Sequence, residues 1–225
     1  MAKQDRAIRT RRTILAAAAQ VFEERGYQAA TITEILATAG VTKGALYFHF
    51  ESKDQLAQGV LAEQGQSLSV PARNCKTQEL VDTVALHAYR LQIDPMVRAG
   101  VRLSLDQQAT ELDRSGPFLG WSEIILRLLQ EARGELLPHV VASETADVLV
   151  GSFAGVQAMS QIISNYQDLG HRVSELLRHV LPNVVLASVL ATVDLSANRG
   201  ALVYDEVRGL ARVEEGLREP VATAS

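Results

Sequence analysis

The sequence predicts an all-α protein on three observations. Apolar residues recur at the helical period along almost the whole chain. No run alternates apolar and polar residues as a half-buried strand does. Turn signals at Asp94-Pro95, Ser115-Gly116-Pro117 and Gly134–Pro138 separate the periodic segments of the body. A first helix is expected over 5–25, with Ile14, Ala18, Val21 and Phe22 as its inner stripe and Gly26 as its left-handed cap. Thr31 stands three residues before Glu34, the capping-box spacing, and opens a short helix with Ile32, Ile35 and Leu36 inward that ends at Gly40. A third helix spans 42–49, and Ser52 with Gln55 repeats the capping-box spacing to open a fourth. After a Ser/Gly/Pro-rich loop at 65–74, helices are expected at 77–92, 95–108, 117–133, 143–165 and 169–190, with Pro117 in a first turn. A weaker helix follows at 198–217, and 219–225 reads as a disordered tail. The domain reading is a head at 1–52, a larger helical body at 53–195 whose first helix links the two, and a C-terminal helix or tail at 196–225.

Of the 225 residues, 47% are hydrophobic and 21% charged, which supplies a buried core and excludes wholesale disorder. The apolar stretch 180–190 is broken by Pro182 and Asn183, and the N-terminus opens on charge, so a cytoplasmic chain with no membrane association is expected. Cys75 is the single cysteine, which leaves no internal disulfide and no paired Cys/His spacing for zinc. His49, His87, His139, His171 and His179 show no metal-ligand spacing beside acids. His171 and His179 share a helix face, an arrangement that surface histidines explain more often than zinc does. No nucleophile elbow, phosphate-binding loop, zinc-protease or dinucleotide motif occurs, so no enzyme, cofactor or metal is expected. The net charge of −4 hides an uneven distribution: residues 1–60 carry eight Lys/Arg against six Asp/Glu. Within that segment Lys3, Arg6, Arg9, Arg11 and Arg12 face only Asp5, a cluster suited either to phosphates or to a solvated helix face.

Two short helices joined by a tight glycine turn have the dimensions of a helix-turn-helix, whose second helix enters a DNA major groove. Val41, Ala45 and Phe48 lie at i, i+4 and i+7 and are expected to pack inward, leaving Lys43 and Tyr47 on another face. Gly44 weakens a helix, which is explained where backbone must approach a phosphate or base closely, or by a loose helix end.

The segment 41–50, VTKGALYFHF, followed by Ser52 and Lys53, resembles the recognition segment of TetR-type repressors. Arg11-Arg12, Val21-Phe22, Arg25-Gly26-Tyr27 and Thr31–Ile35 extend the resemblance over nearly the whole head. That family is wholly helical and dimeric, with an effector pocket in the larger C-terminal domain and its dimer interface on the last long helices. The resemblance implies a double-stranded operator, a homodimer and a small-molecule effector as partners. It implies DNA contacts from Thr42, Lys43, Gly44, Tyr47 and His49, with Lys53 at the next helix start and Thr31 and Thr33 assisting. Lys43 suits guanine acceptors, whereas Tyr47, His49, Thr33 and Lys53 suit phosphates.

A narrower resemblance rests on 1–10 (MAKQDRAIRT), 98–104 (RAGVRLS), Gly116-Pro-Phe118 with Trp121, and 151–155 (GSFAG). These are similar to γ-butyrolactone autoregulator receptors, which repress antibiotic and signal-synthesis genes until a small lactone releases them. The same subgroup contains pseudo-receptors that sense antibiotics or other apolar ligands. Trp121, the sole tryptophan, reads from composition as ordinary core; the resemblance makes it a wall of the effector pocket. Gln64, Gln157 and Ser160 are polar groups on apolar helices that suit a lactone carbonyl or hydroxyl, and surface exposure explains each equally. Leu61, Leu86, Val101, Phe153 and Val156 line the remainder, or belong to the core.

Overall fold

A computed structural model describes residues 2–64, 70–105 and 115–218. The described residues form eleven α-helices, and their sole extended pairing is an isolated antiparallel bridge between Leu136 and Val185. The helices are α1 (Ala2–Ala29), α2 (Ile32–Ala39), α3 (Lys43–His49), α4 (Lys53–Gln64), α5 (Lys76–Ile93), α6 (Pro95–Leu105), α7 (Ser115–Glu131), α8 (Ala142–Ser164), α9 (Leu169–Val180), α10 (Ala187–Leu190) and α11 (Arg199–Arg218). They are gathered into two compact units, residues 1–67 with 93–120 and residues 68–92 with 121–225.

In the first unit the expected stripe of α1 is its core. Ile14, Ala18, Val21 and Phe22 are all buried, together with Ile35 of α2, Leu46 of α3, Leu56 and Val60 of α4, and Ala99 and Leu103 of α6. The boundary read at 52/53 therefore lies inside one packed cluster: α4 and α6 share the head's core. Gly26 breaks α1 as expected, but with φ 77° and ψ 170° it takes an extended glycine conformation, not the left-handed helical cap. α6 grips this break. Arg98 Nε donates to Glu23 Oε1 (2.5 Å), and Arg102 donates to the Glu23 carbonyl with its guanidinium against Gly26.

The second unit carries a polar hub. Asp82 of α5 has no solvent exposure. It accepts from Arg73 Nε (2.9 Å), Arg199 Nε (2.7 Å), Arg199 Nη2 (2.8 Å) and Gln78 Nε2 (2.7 Å). This ties the segment before α5 and the start of α11 to one carboxylate, and Gly200 lets α11 cross the Ala85 carbonyl where a Cβ would clash. A second carboxylate, Glu135, accepts from the Lys76 and Thr77 amides (2.8 and 2.7 Å), placing negative charge at the N-terminus of α5.

The helix expected over 169–190 is divided into α9, a 3-10 turn at Leu181–Asn183 and α10. Pro182 has no N–H for the ladder and its ring collides with the preceding turn, which outweighs the continuous apolar period of that stretch. α7 opens two residues before Pro117, and α8 ends at Ser164, with Asn165 left-handed as its cap. Part of the expected 65–74 loop, residues 106–108 of the expected 95–108 helix and the tail at 219–225 lie outside the described residues.

Replacing Asp82 with Ala is expected to lower unfolding free energy by about 3 kcal/mol, because Arg73 and Arg199 lose their buried counter-charge and keep only the more exposed Glu206 and Asp194. A shift of the urea midpoint well below that, at unchanged slope, contradicts the hub.

Candidate nucleic-acid interface

α2 and α3 are eight and seven residues long, too short to hold without tertiary support. Capping supplies part of it. Thr31 Oγ1 accepts from the Glu34 N–H (3.2 Å), while the Thr31 N–H and hydroxyl donate to Glu34 Oε2 (3.0 and 2.8 Å), which holds the Glu34 carboxyl below its ordinary value. Gly40 ends α2 at φ 63°, ψ 31°, the left-handed cap expected from sequence. Thr42 Oγ1 accepts from the Ala45 N–H (3.3 Å), leaving its own proton to donate outward.

Burial of Leu46 sets which face of α3 is presented. Beside Leu46, Phe50 is buried and Ala45 and His49 are half-buried, whereas Lys43, Gly44, Tyr47 and Phe48 are exposed. This corrects the inward placement of Phe48, which is 79% exposed. The period reading took Val41, Ala45 and Phe48 inward and passed over Leu46, which with Phe50 inserts into the cluster built on α1. The Lys43 ammonium lies 5.8 Å from the centre of the Tyr47 ring, so the pair shares a face as expected. A Cβ at Gly44 meets nothing within 4 Å. No described neighbour requires glycine there.

Thr33 is exposed on α2, and His49 is half-buried between the Phe48 ring (5.0 Å) and the Phe50 ring (6.5 Å). Lys53 takes another role from the one its position suggested. Its ammonium donates to the carbonyls of Tyr27 (2.9 Å), Ala30 (3.1 Å) and Gln28 (3.4 Å) and sits 4.5 Å from the Tyr27 ring, so it closes the end of α1. Sequence reasoning left Arg11 in a diffuse basic cluster. The structure sets its guanidinium 5.1 Å over the Phe50 ring, beside the end of α3, while Arg6, Arg9 and Arg12 stay exposed on α1.

The residues expected at an effector site fall in both units. In the first, Leu61 packs on the head core, Val101 is half-buried, and Gln64 lies against Gly100 of α6 with its Oε1 buried and without a hydrogen-bond partner. In the second, Trp121 of α7 and Phe153 of α8 meet at His87 of α5, whose ring is 4.4 Å from Trp121 and 5.5 Å from Phe153. His87 was missed because histidines were read only for metal spacing; its place on the stripe Leu80, Val84, Leu91 was the available signal. Val156 is half-buried and Gln157 buried. Two expected residues are taken up by the fold: Leu86 packs with Val203 and Val207 of α11, and the sealed Ser160 donates to Asp168 Oδ1 (2.6 Å). That bond and one from Ser164 draw the Asp168 carboxyl down to about 2.

Residues 14–60 match the family of bacterial regulatory proteins of the tetR type. Over 193 residues the chain is 40% identical to the A-factor receptor protein of Streptomyces griseus, covering 85% of this chain and 69% of that one. The chain belongs to the TetR family. TylP, a TetR regulator from Streptomyces fradiae, superposes with a TM-score of 0.82 at 46% identity, over 90% of this chain and 99% of its own. A γ-butyrolactone receptor described as ArpA-like gives a TM-score of 0.69 at 29% identity, over 89% and 98%. This TetR protein is a transcriptional regulator, not an enzyme, and the α2–turn–α3 geometry is its reading head.

Within that head the inward and outward sides of α3 separate by mutation. Leu46→Ala is expected to cost about 2–5 kcal/mol of stability as a cavity opens, and Phe48→Ala less than about 0.5 kcal/mol. Equal thermal shifts for the two variants contradict the orientation.

Proposed function

We propose that this protein is a ligand-responsive repressor that binds a pseudo-palindromic operator as a homodimer in the cytoplasm. A small γ-butyrolactone-type signal releases it, and the genes it controls serve secondary-metabolite or antibiotic biosynthesis. The observation that carries the reading is the outward face of α3, where Lys43, bare Gly44, Tyr47 and Phe48 stand on a capped helix locked from behind by Leu46. Lys43 serves guanine acceptors in the major groove, Phe48 suits apolar contact with thymine methyl groups, and Tyr47 with Thr42, His49 and Thr33 serves the backbone. Arg6, Arg9, Arg11 and Arg12 add salt-sensitive attraction to phosphates. Lys53 and Thr31 support this surface from within the head.

A second copy fits the uncovered side of α8, where Val148, Met159, Ile162 and Ile163 are all more than half exposed. α8 is long and apolar enough to cross a membrane by length and composition alone, with a mean hydropathy of 1.3. A single helix of this kind is weak evidence for a membrane, because a helix covered by a partner subunit passes the same test. The effector acts by preferring the conformer whose two heads are wrongly spaced, and it weakens operator binding by its differential affinity alone, typically about 1–3 kcal/mol of coupling. α4 and α6 are placed to carry that preference, since both are built into the head core and α6 holds the α1 break through Arg98 and Arg102.

A gel-shift titration of the dimer on its operator, with and without an alkyl-γ-butyrolactone, tests the whole reading: the lactone is expected to release the duplex. Inserting about five base pairs between half-sites turns one by half a helical turn and is expected to abolish tight binding. Retention in the presence of lactone removes the ligand class, and unchanged affinity for the lengthened duplex removes the two-fold dimer. Lys43→Ala is expected to lose roughly 1–3 kcal/mol on operator and much less on scrambled DNA, while equal losses on both make Lys43 a phosphate contact only.

A further inference from the structure

His87 sits where a core histidine is hard to justify. It lies on the inner stripe of α5 between the rings of Trp121 and Phe153, and no described residue hydrogen-bonds its imidazole. Desolvation, reinforced by the charge of Arg90, holds the ring down to about 3, so it is neutral and carries one N–H donor and one nitrogen acceptor. The residue as a whole is nevertheless only half-buried. Among the described residues, the one enclosed side-chain polar atom without a partner is Gln64 Oε1. An imidazole dehydrated enough to stay neutral, only half-buried and without a hydrogen bond from any described residue suits the wall of a site that another molecule completes. An all-carbon ring fills the same space between Trp121 and Phe153 without the cost of an unpaired polar group.

We infer that His87 is the polar recognition group of the effector site, hydrogen-bonding a carbonyl or hydroxyl of a small neutral ligand whose apolar part lies along Trp121 and Phe153. The inference rests on the effector reading above and adds the residue that selects ligand chemistry. Trp121 and Phe153 offer apolar faces that accept any greasy molecule of the right size. The imidazole between them rewards one that presents a hydrogen-bonding oxygen at that depth and leaves a pure hydrocarbon with an unmet donor and acceptor. The donor and acceptor on one neutral ring suit a lactone carbonyl or a neighbouring hydroxyl.

The test uses the full-length dimer and the fluorescence of Trp121, the sole tryptophan, which touches His87 and reports binding independently of DNA. Two probes are titrated: an alkyl-γ-butyrolactone with an eight-carbon chain, and the tetrahydrofuran of the same skeleton, which lacks the carbonyl. His87→Phe is expected to weaken lactone binding about tenfold, the size of one hydrogen bond to a desolvated partner, and to change tetrahydrofuran binding by less than about twofold. His87→Leu makes the same comparison should the larger ring not be accommodated, and operator affinity without ligand is expected to remain at the wild-type value. Equal loss for both probes makes His87 a packing residue and overturns the assignment, as does lactone binding at wild-type strength. A wild-type protein that responds to the lactone neither in fluorescence nor in operator release overturns the lactone reading and this assignment together. A wild type that responds alongside an equally responsive variant overturns the assignment alone.

Discussion

A seven-residue helix cannot hold itself together in water, and the reading surface of this protein is borne on one. What fixes α3 is the burial of Leu46 in the cluster formed by Ile14, Ala18 and Phe22 of α1 with Ile35 of α2. Everything useful about the surface follows from that insertion. It selects which four side chains face outward, puts Thr42 in position to cap, and brings Phe50 under Arg11. α4 and α6 contribute Leu56, Val60, Ala99 and Leu103 to the same cluster. A displacement of either helix is therefore felt at α3 without any separate transmission device, since a close-packed core has few intermediate arrangements.

Charge plays a complementary part. At joints between helices the chain uses carboxylates as multi-point anchors. Asp82 gathers two arginines, Glu135 holds the first turn of α5, and Asp168 closes the α8–α9 turn through Ser160, Ser164 and Arg172. Each anchor satisfies groups that would otherwise be buried unpaired, so none is interchangeable with a surface ion pair. His87 stands outside this pattern: it lies between two aromatic rings and no described residue hydrogen-bonds it.

Much of this was legible in the sequence, where local chemistry decides. Thr31 with Glu34, Gly40 and Thr42 act at short range, so the bounds of α2 and α3 were read correctly, whereas Gly26 broke the first helix without capping it. The α1 stripe was legible for a related reason, since a long amphipathic helix has one apolar face to bury. In α3 the period reading put Phe48 inward and passed over Leu46, because a seven-residue helix carries too few turns for its period to fix a face. Pro182 was read as an interruption of apolar character and not of backbone hydrogen bonding, and α9 was drawn too long.

By itself, then, the sequence determined the helical class, the turn between α2 and α3, the basic front of the chain and the family these motifs mark, because caps, periods and charge clusters act within a few residues. Only the tertiary structure decided that Phe48 faces out, that Lys53 closes α1, that Ser160 and Leu86 serve the fold, and that His87 meets Trp121 and Phe153. These are outcomes of long-range competition for partners. An ammonium goes to whichever carbonyls the fold brings near it, and a ring goes to whichever cavity the other helices leave open.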